Sequence, residues 1–318
     1  MRLCFMLLWS LLLLVNLGCG NAGQAQLGEP PEIGEAREEH ALGGHFPQML
    51  TDASGAEIVL ESPPQRIVSI LPSQTENAFA LGLGERIVGV SDWDNYPEEV
   101  EKIAKVGGLE PSVERILSLD PDLILAGASA NAKAIEPLRD LGLPVLVLPE
   151  AQSFSGAYDA LRLLGQATGT LPEAEAVIAA MEREKRSITE RLSTIPEEQK
   201  PRVWVEVSPD LVTAGEGTFI NDIIQLAGGI NVAADEKGWP KVSEEQVIAW
   251  APEVILTTYG HYVAHPLQQV YARAAWSALP AVKAKRVYDV NNDILTRPGP
   301  RLVDGLAEVA RYLHPDRF

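Results

Sequence analysis

From Arg66 onward, short apolar runs alternate with segments whose apolar residues recur at helical spacing. Arg66-Ile67-Val68-Ser69-Ile70 reads as a buried strand, and Ser73-Gln74-Thr75-Glu76 reads as a capping box opening a helix that stops at Gly82. Ile87-Val88-Gly89-Val90 is the next strand. The pattern then predicts a helix from about Ser112, a strand over 123–125, a helix over 130–141, a strand over 145–148 and a helix over 155–168. Such alternation implies a mainly parallel sheet covered by helices. Ahead of it, residues 47–61 alternate weakly and predict a short strand or hairpin.

A second series repeats the plan: strand 203–207, helix 219–226 closed by Gly228-Gly229, helix from Ser243, strands 254–256 and 286–290, and helix 301–313. Between the two series, Thr170-Leu171-Pro172-Glu173 reads as another capping box. The charged segment after it reaches Leu192 without a glycine or a further proline, with Val177, Met181, Ile188 and Leu192 at helical spacing. One helix of roughly 30 Å at 1.5 Å per residue is expected there. The fold class is therefore α/β, with two Rossmann-like lobes, mainly parallel sheets and one long rigid connecting helix.

Two stretches are nearly alike at an offset of 131 residues, from Ser112-Val113-Glu114-Arg115-Ile116-Leu117 and from Ser243-Glu244-Glu245-Gln246-Val247-Ile248. Each predicts a capped short helix, a proline break and a buried strand, so the chain contains two copies of one αβ unit. Each copy carries an acid at the same place, Glu114 and Glu245. A carboxylate in a helix's first turn favours the helix dipole, which accounts for either glutamate singly but not for the match.

At 318 residues and 46% hydrophobic content the chain can bury a large core. A net charge of −18 without a basic cluster argues against nucleic acid as a partner. Both cysteines fall within the first twenty residues, which excludes a disulfide framework or a cysteine metal cluster. Arg2 followed by the apolar run 3–15 reads as a secretion signal, too short to span a bilayer comfortably. It ends in Leu17-Gly18-Cys19-Gly20, which resembles a bacterial lipobox with Cys19 as the lipidated residue, although Asn16 stands where that motif usually has leucine; an ordinary signal cleaved elsewhere is the alternative. The expected division is a signal peptide over 1–19, a flexible tether over 20–46, an N-terminal lobe over 47–169, a linker helix over 170–196 and a C-terminal lobe over 197–318.

The order of three blocks carries a resemblance. Arg66 to Ser73 with Ala80-Leu81-Gly82-Leu83-Gly84, then Thr213-Ala214-Gly215-Glu216-Gly217-Thr218-Phe219-Ile220 with Leu226-Ala227-Gly228-Gly229-Ile230-Asn231-Val232, then Arg297-Pro298-Gly299-Pro300-Arg301 resemble substrate-binding proteins of cobalamin, haem and ferric-siderophore ABC importers. The likeness is greatest to the cobalamin binders. It implies an extracytoplasmic, lipid-anchored monomer that passes its ligand to an ABC permease dimer with its ATPase, without covalent chemistry or a cofactor of its own.

Trp93 and Tyr96, in Asp92-Trp93-Asp94-Asn95-Tyr96-Pro97, and Trp239, in Gly238-Trp239-Pro240, follow or precede elements at matching ends of the lobes. Ligands in parallel sheets sit beyond the carboxyl ends of the strands, so the two tryptophans are expected across a cleft, where flat aromatic faces suit a macrocycle. Arg297 is expected to bind ligand amides or anionic groups, Asp293 to accept from ligand amides, and Arg301 either to join them or to hold the turn. The resemblance further implies that Glu114 and Glu245 pair with arginines of the permease. A ferric siderophore or haem is the alternative ligand. An alternative of another class is a metalloenzyme using His261, His265 and Asp293, though no HExxH motif, P-loop or nucleophile elbow is present.

Overall fold

The computed structural model describes residues 45–318; the signal peptide, Cys19 and nearly all of the tether lie outside the described residues. The chain opens with an antiparallel hairpin, β1 (Gln48–Thr51) and β2 (Glu57–Leu60). Phe46, assigned to the tether on sequence grounds, packs beside Gly169 and belongs to the first lobe.

The first sheet contains β3 (Ile67–Ser69), β4 (Ile87–Val90), β5 (Ala104–Lys105), β6 (Leu123–Gly127) and β7 (Val145–Leu148). All pairs are parallel in the order β5-β4-β3-β6-β7. Strands β6 and β7 are buried along their whole length, as strands covered on both faces must be. The helices of this lobe are α1 (Pro72–Ala80), α2 (Val113–Ser118), α3 (Ala132–Asp140) and α4 (Phe154–Thr168).

Next comes α5 (Leu171–Leu192), a single helix of 22 residues. It buries Ala174, Ile178, Met181, Ile188 and Leu192 and packs on α4, where Gly165 lets Ala174 and the Leu171 backbone approach closely. The second sheet holds β8 (Arg202–Glu206), β9 (Ile230–Asn231), β10 (Val254–Thr257) and β11 (Val287–Asp289), all parallel in the order β11-β10-β8-β9. Its helices are α6 (Phe219–Leu226), α7 (Glu244–Trp250), α8 (Pro266–Ala272), α9 (Pro280–Lys283), α10 (Asn292–Thr296) and α11 (Leu302–Leu313). Because α11 also packs on α5, one hydrophobic cluster runs from Leu125 and Leu148 through α5 to Val205, Leu256 and Leu306. The connector is part of the core and not an exposed strut.

The two sequence copies are copies in space at the level of local detail. Ser112 and Ser243 cap α2 and α7, accepting from the backbone N–H of Arg115 (3.3 Å) and Gln246 (3.2 Å). At the other end of each helix an arginine at the start of β3 or β8 donates to a terminal carbonyl: Arg66 to Leu119 (2.6 Å) and Arg202 to Trp250 (2.8 Å). The backbone N–H of each arginine is in turn held by Asp122 (2.8 Å) or Glu253 (2.9 Å), which share the 131-residue offset.

The two expected capping boxes are not formed. Helix α1 starts two residues earlier than Ser73 as a cap requires, because Pro72 has the fixed φ and missing donor of a first helical residue. Ser73 is then inside the helix, and Glu76 is free to reach elsewhere. Thr170 does precede α5, but its hydroxyl pairs with that of Thr168 (2.8 Å) and caps nothing.

Candidate functional site

The carboxyl ends of both sheets open into one cavity of about 1280 Å³ between the lobes. That exceeds the roughly 300–1,000 Å³ of ordinary small-molecule pockets. Leu71, Gly127 and Leu148 border it from just beyond or at the ends of β3, β6 and β7, and His261 and Asn291 from the loops after β10 and β11. The sheets place the site where strand-end geometry predicts it.

Trp93 and Trp239, one from each lobe, both line this cavity, and their side chains remain 61% and 48% exposed. Trp239 meets Phe219 edge-on, with ring centroids 5.8 Å apart. Phe219, Tyr262 and Leu109 extend the apolar wall. Trp93 stands on a braced loop: the Ser91 hydroxyl donates to Asp94 (2.5 Å), and burial pushes the Asp94 carboxyl above its ordinary range.

Asp293 and Arg297 line the cavity as well, but their polar atoms are committed within the protein. Arg297 Nη1 donates to Glu76 (3.0 Å) and to Asn95 Oδ1 (2.7 Å), while Nη2 donates to the Trp93 carbonyl (3.3 Å) and pairs with Asp293 (3.0 Å). Asp293 Oδ2 accepts from Asn95 Nδ2 (2.8 Å). Arg301 donates to both oxygens of Glu76, from Nε (2.8 Å) and Nη2 (2.6 Å). Glu76 and Asn95 belong to the first lobe and the arginines and Asp293 to the second, so this cluster clasps the lobes together at one end of the cavity. Glu76 is only 3% exposed, and a buried carboxylate is tolerable there because three N–H donors meet it.

Tyr96 is not among the residues lining the cavity. Its ring lies under the Arg301 guanidinium, 3.9 Å from centroid to carbon, a cation–π contact that holds it beside the clasp. Sequence reasoning missed Asn95, Phe219, Tyr262 and above all Glu76. The signal for Glu76 was available: in α1, Ser73, Gln74, Thr75, Glu76 and Asn77 are all buried, and a helix start with so many polar residues and no apolar stripe points toward a site.

His261 borders the cavity, its ring edge-on to Tyr262 at 4.7 Å, whereas His265 stands before α8 with a left-handed backbone (φ 55°). Among the described residues no group of three or more His, Cys, Asp or Glu side chains is placed to hold a metal, and Asp293 is occupied by Arg297 and Asn95. The arrangement of His261, His265 and Asp293 gives no metalloenzyme centre.

Glu114 and Glu245 are exposed in the first turns of α2 and α7. Hydrogen bonds from its own backbone N–H and from Ser243 hold the Glu245 carboxyl below the ordinary range, so it is ionised at neutral pH. No helix among the described residues is long and apolar enough to cross a membrane.

Two parallel-sheet lobes sharing a core through one helix, around a large aromatic-walled cavity, define a two-lobed solute receptor. Comparison with known proteins agrees. A family model for periplasmic binding proteins matches residues 67–294. The chain is 38% identical over 319 residues to YvrC of Bacillus subtilis (strain 168), described as an uncharacterised ABC transporter substrate-binding lipoprotein, with 98% of each chain covered. It is 31% identical over 256 residues to the vitamin B12-binding protein of Vibrio cholerae serotype O1, covering 79% of this chain and 90% of that one. The periplasmic haem-binding protein RhuT from Roseiflexus sp. RS-1 superposes with a TM-score of 0.71 at 28% identity, covering 80% of this chain and 99% of that one. The chain belongs to the periplasmic binding protein family, as a substrate-binding protein of an ABC importer and not an enzyme.

Proposed function

We propose that this protein is a lipid-anchored, extracytoplasmic receptor that captures cobalamin or a related corrinoid and delivers it to an ABC permease dimer with its ATPase. The observation that carries the ligand reading is the pair Trp93 and Trp239, contributed by opposite lobes to the wall of a cavity of about 1280 Å³. Two broad aromatic surfaces together with lining Asn and Thr side chains suit a large ring with apolar faces and amide-bearing rims. The vitamin B12-binding relative supports the same choice.

Delivery rests on Glu114 and Glu245, one per lobe at equivalent positions, which suit a partner built as a two-fold dimer with a cation on each half. One turn further on, Leu117 and Ile248 are 45% and 37% exposed at the same 131-residue offset, so each acid has an apolar neighbour facing solvent. The anchor would be a lipid on Cys19, following the lipobox-like Leu17-Gly18-Cys19-Gly20.

Titrating the purified protein with cyanocobalamin, haemin and ferric siderophores, followed by tryptophan fluorescence, tests the ligand. Saturable one-to-one quenching by cyanocobalamin is expected. If an iron complex saturates the protein and cyanocobalamin does not, the corrinoid reading is wrong while the receptor class stands.

A further inference from the structure

The charge balance of the cavity deepens this reading, on which it rests for the size and shape of the ligand. Among the described residues that line the cavity, the acidic and basic side chains other than His261 are Glu150, Asp293 and Arg297. Arg297 is therefore the cation that the wall offers. Both of its terminal nitrogens are engaged, with Glu76, Asn95, the Trp93 carbonyl and Asp293, and its side chain is 14% exposed. Arg301, beside it, is bound through two nitrogens to Glu76. Two guanidinium groups thus face two carboxylates, and Glu150 leaves the wall net negative.

We propose that Glu76 is a specificity-determining residue. By holding Arg297 and Arg301 it withdraws the cations that would receive a ligand's acidic groups. A macrocycle edged with carboxylates would have to bury them without a partner, next to Asp293, which is costly. A macrocycle without net charge, whose rim carries amides in place of carboxylates, incurs a smaller penalty there. Discrimination between two flat rings of similar breadth then comes from rejection of the wrong one, a difference produced by unpaired charge and not by shape. Glu76 does not itself line the cavity and acts through Arg297, which does, so it is a positioning residue.

The test titrates the wild type, Glu76→Gln, Glu76→Asp and Asp293→Asn with two probes, cyanocobalamin and haemin, at low and high salt. The wild type is expected to prefer cyanocobalamin. Glu76→Gln should raise haemin affinity by about tenfold, and the gain should shrink at high salt because it comes from freed cations. Glu76→Asp should restore the wild-type preference. Asp293→Asn, on the less buried side of the same cluster, should shift the preference the same way by a smaller factor and decides the matter if Glu76→Gln does not fold. Unchanged haemin affinity and salt dependence in both variants, with cyanocobalamin still binding the wild type, would overturn the role of Glu76 and leave the receptor reading intact. A wild type that prefers haemin overturns it too, together with the corrinoid assignment. A wild type that binds neither probe counts against the corrinoid reading, and the specificity role falls with it.

Discussion

Trp93 and Trp239 stay largely exposed in a fold that buries Trp204 and Trp276 completely. A protein of this hydrophobic content could have covered them, and an open aromatic surface inside a cavity marks a place kept for something else. Covering a large aromatic or aliphatic side chain stabilises by about 1.5–3 kcal/mol. Trp93→Ala or Trp239→Ala should therefore weaken corrinoid binding roughly ten- to a hundredfold, read by calorimetric titration. An unchanged affinity in both would remove these walls from the site. The place of both tryptophans at the cavity was legible in the sequence because each sits in a loop next to Pro, Asp or Gly, away from any apolar run. The role of Arg297 was legible only in part. The residue type announced hydrogen bonding, but its partners Glu76 and Asn95 lie 221 and 202 positions away, and no local pattern encodes that pairing.

At the scale of elements, the caps on α2 and α7 were readable because a serine before a short amphipathic run has one use, while the same logic failed at α1 and α5, where proline sets the start. The two-residue strands β5 and β9 carried too little periodicity to be seen. The C-terminal helix α11 illustrates a contact that no periodicity announces. His314, at its end, places Nε2 3.0 Å from the Gly228 carbonyl just beyond α6, and burial pushes its pKa below the ordinary 6.5. The unfolded chain therefore binds the proton more readily than the folded one. Stability is lost as pH falls through the ordinary histidine range and the loss levels off once the folded-state group also protonates. Melting curves between about pH 7.5 and pH 5 should show a fall in the wild type that is smaller in His314→Gln; parallel profiles for the two would remove His314 from the account.

For the whole molecule, the repeat makes the architecture legible in the order of residues alone, since one αβ unit used twice needs a connector and α5 has the length and pattern of one. What the repeat leaves open is the ligand, because the residues around the cavity are the ones that differ between copies. The repeat also carries the acids Glu114 and Glu245, each in the first turn of its short helix. Glu114→Ala with Glu245→Ala should lower uptake by on the order of tenfold or more while ligand affinity stays within about twofold. Each single variant should fall between. Undiminished uptake by the double variant would show that the partner grips some other surface.

The way α5 is built into the core has a consequence for traffic through the importer. Lobes that share one apolar cluster, and are clasped again at Glu76, resist moving apart, as the jaws of a caliper do when its screw is set. If the permease gauges only the spacing of Glu114 and Glu245, as proposed above, it would meet the same instrument whether the cavity is full or vacant. Vacant receptors would then queue at the permease alongside loaded ones, and throughput would be governed by the ratio of the two in the envelope.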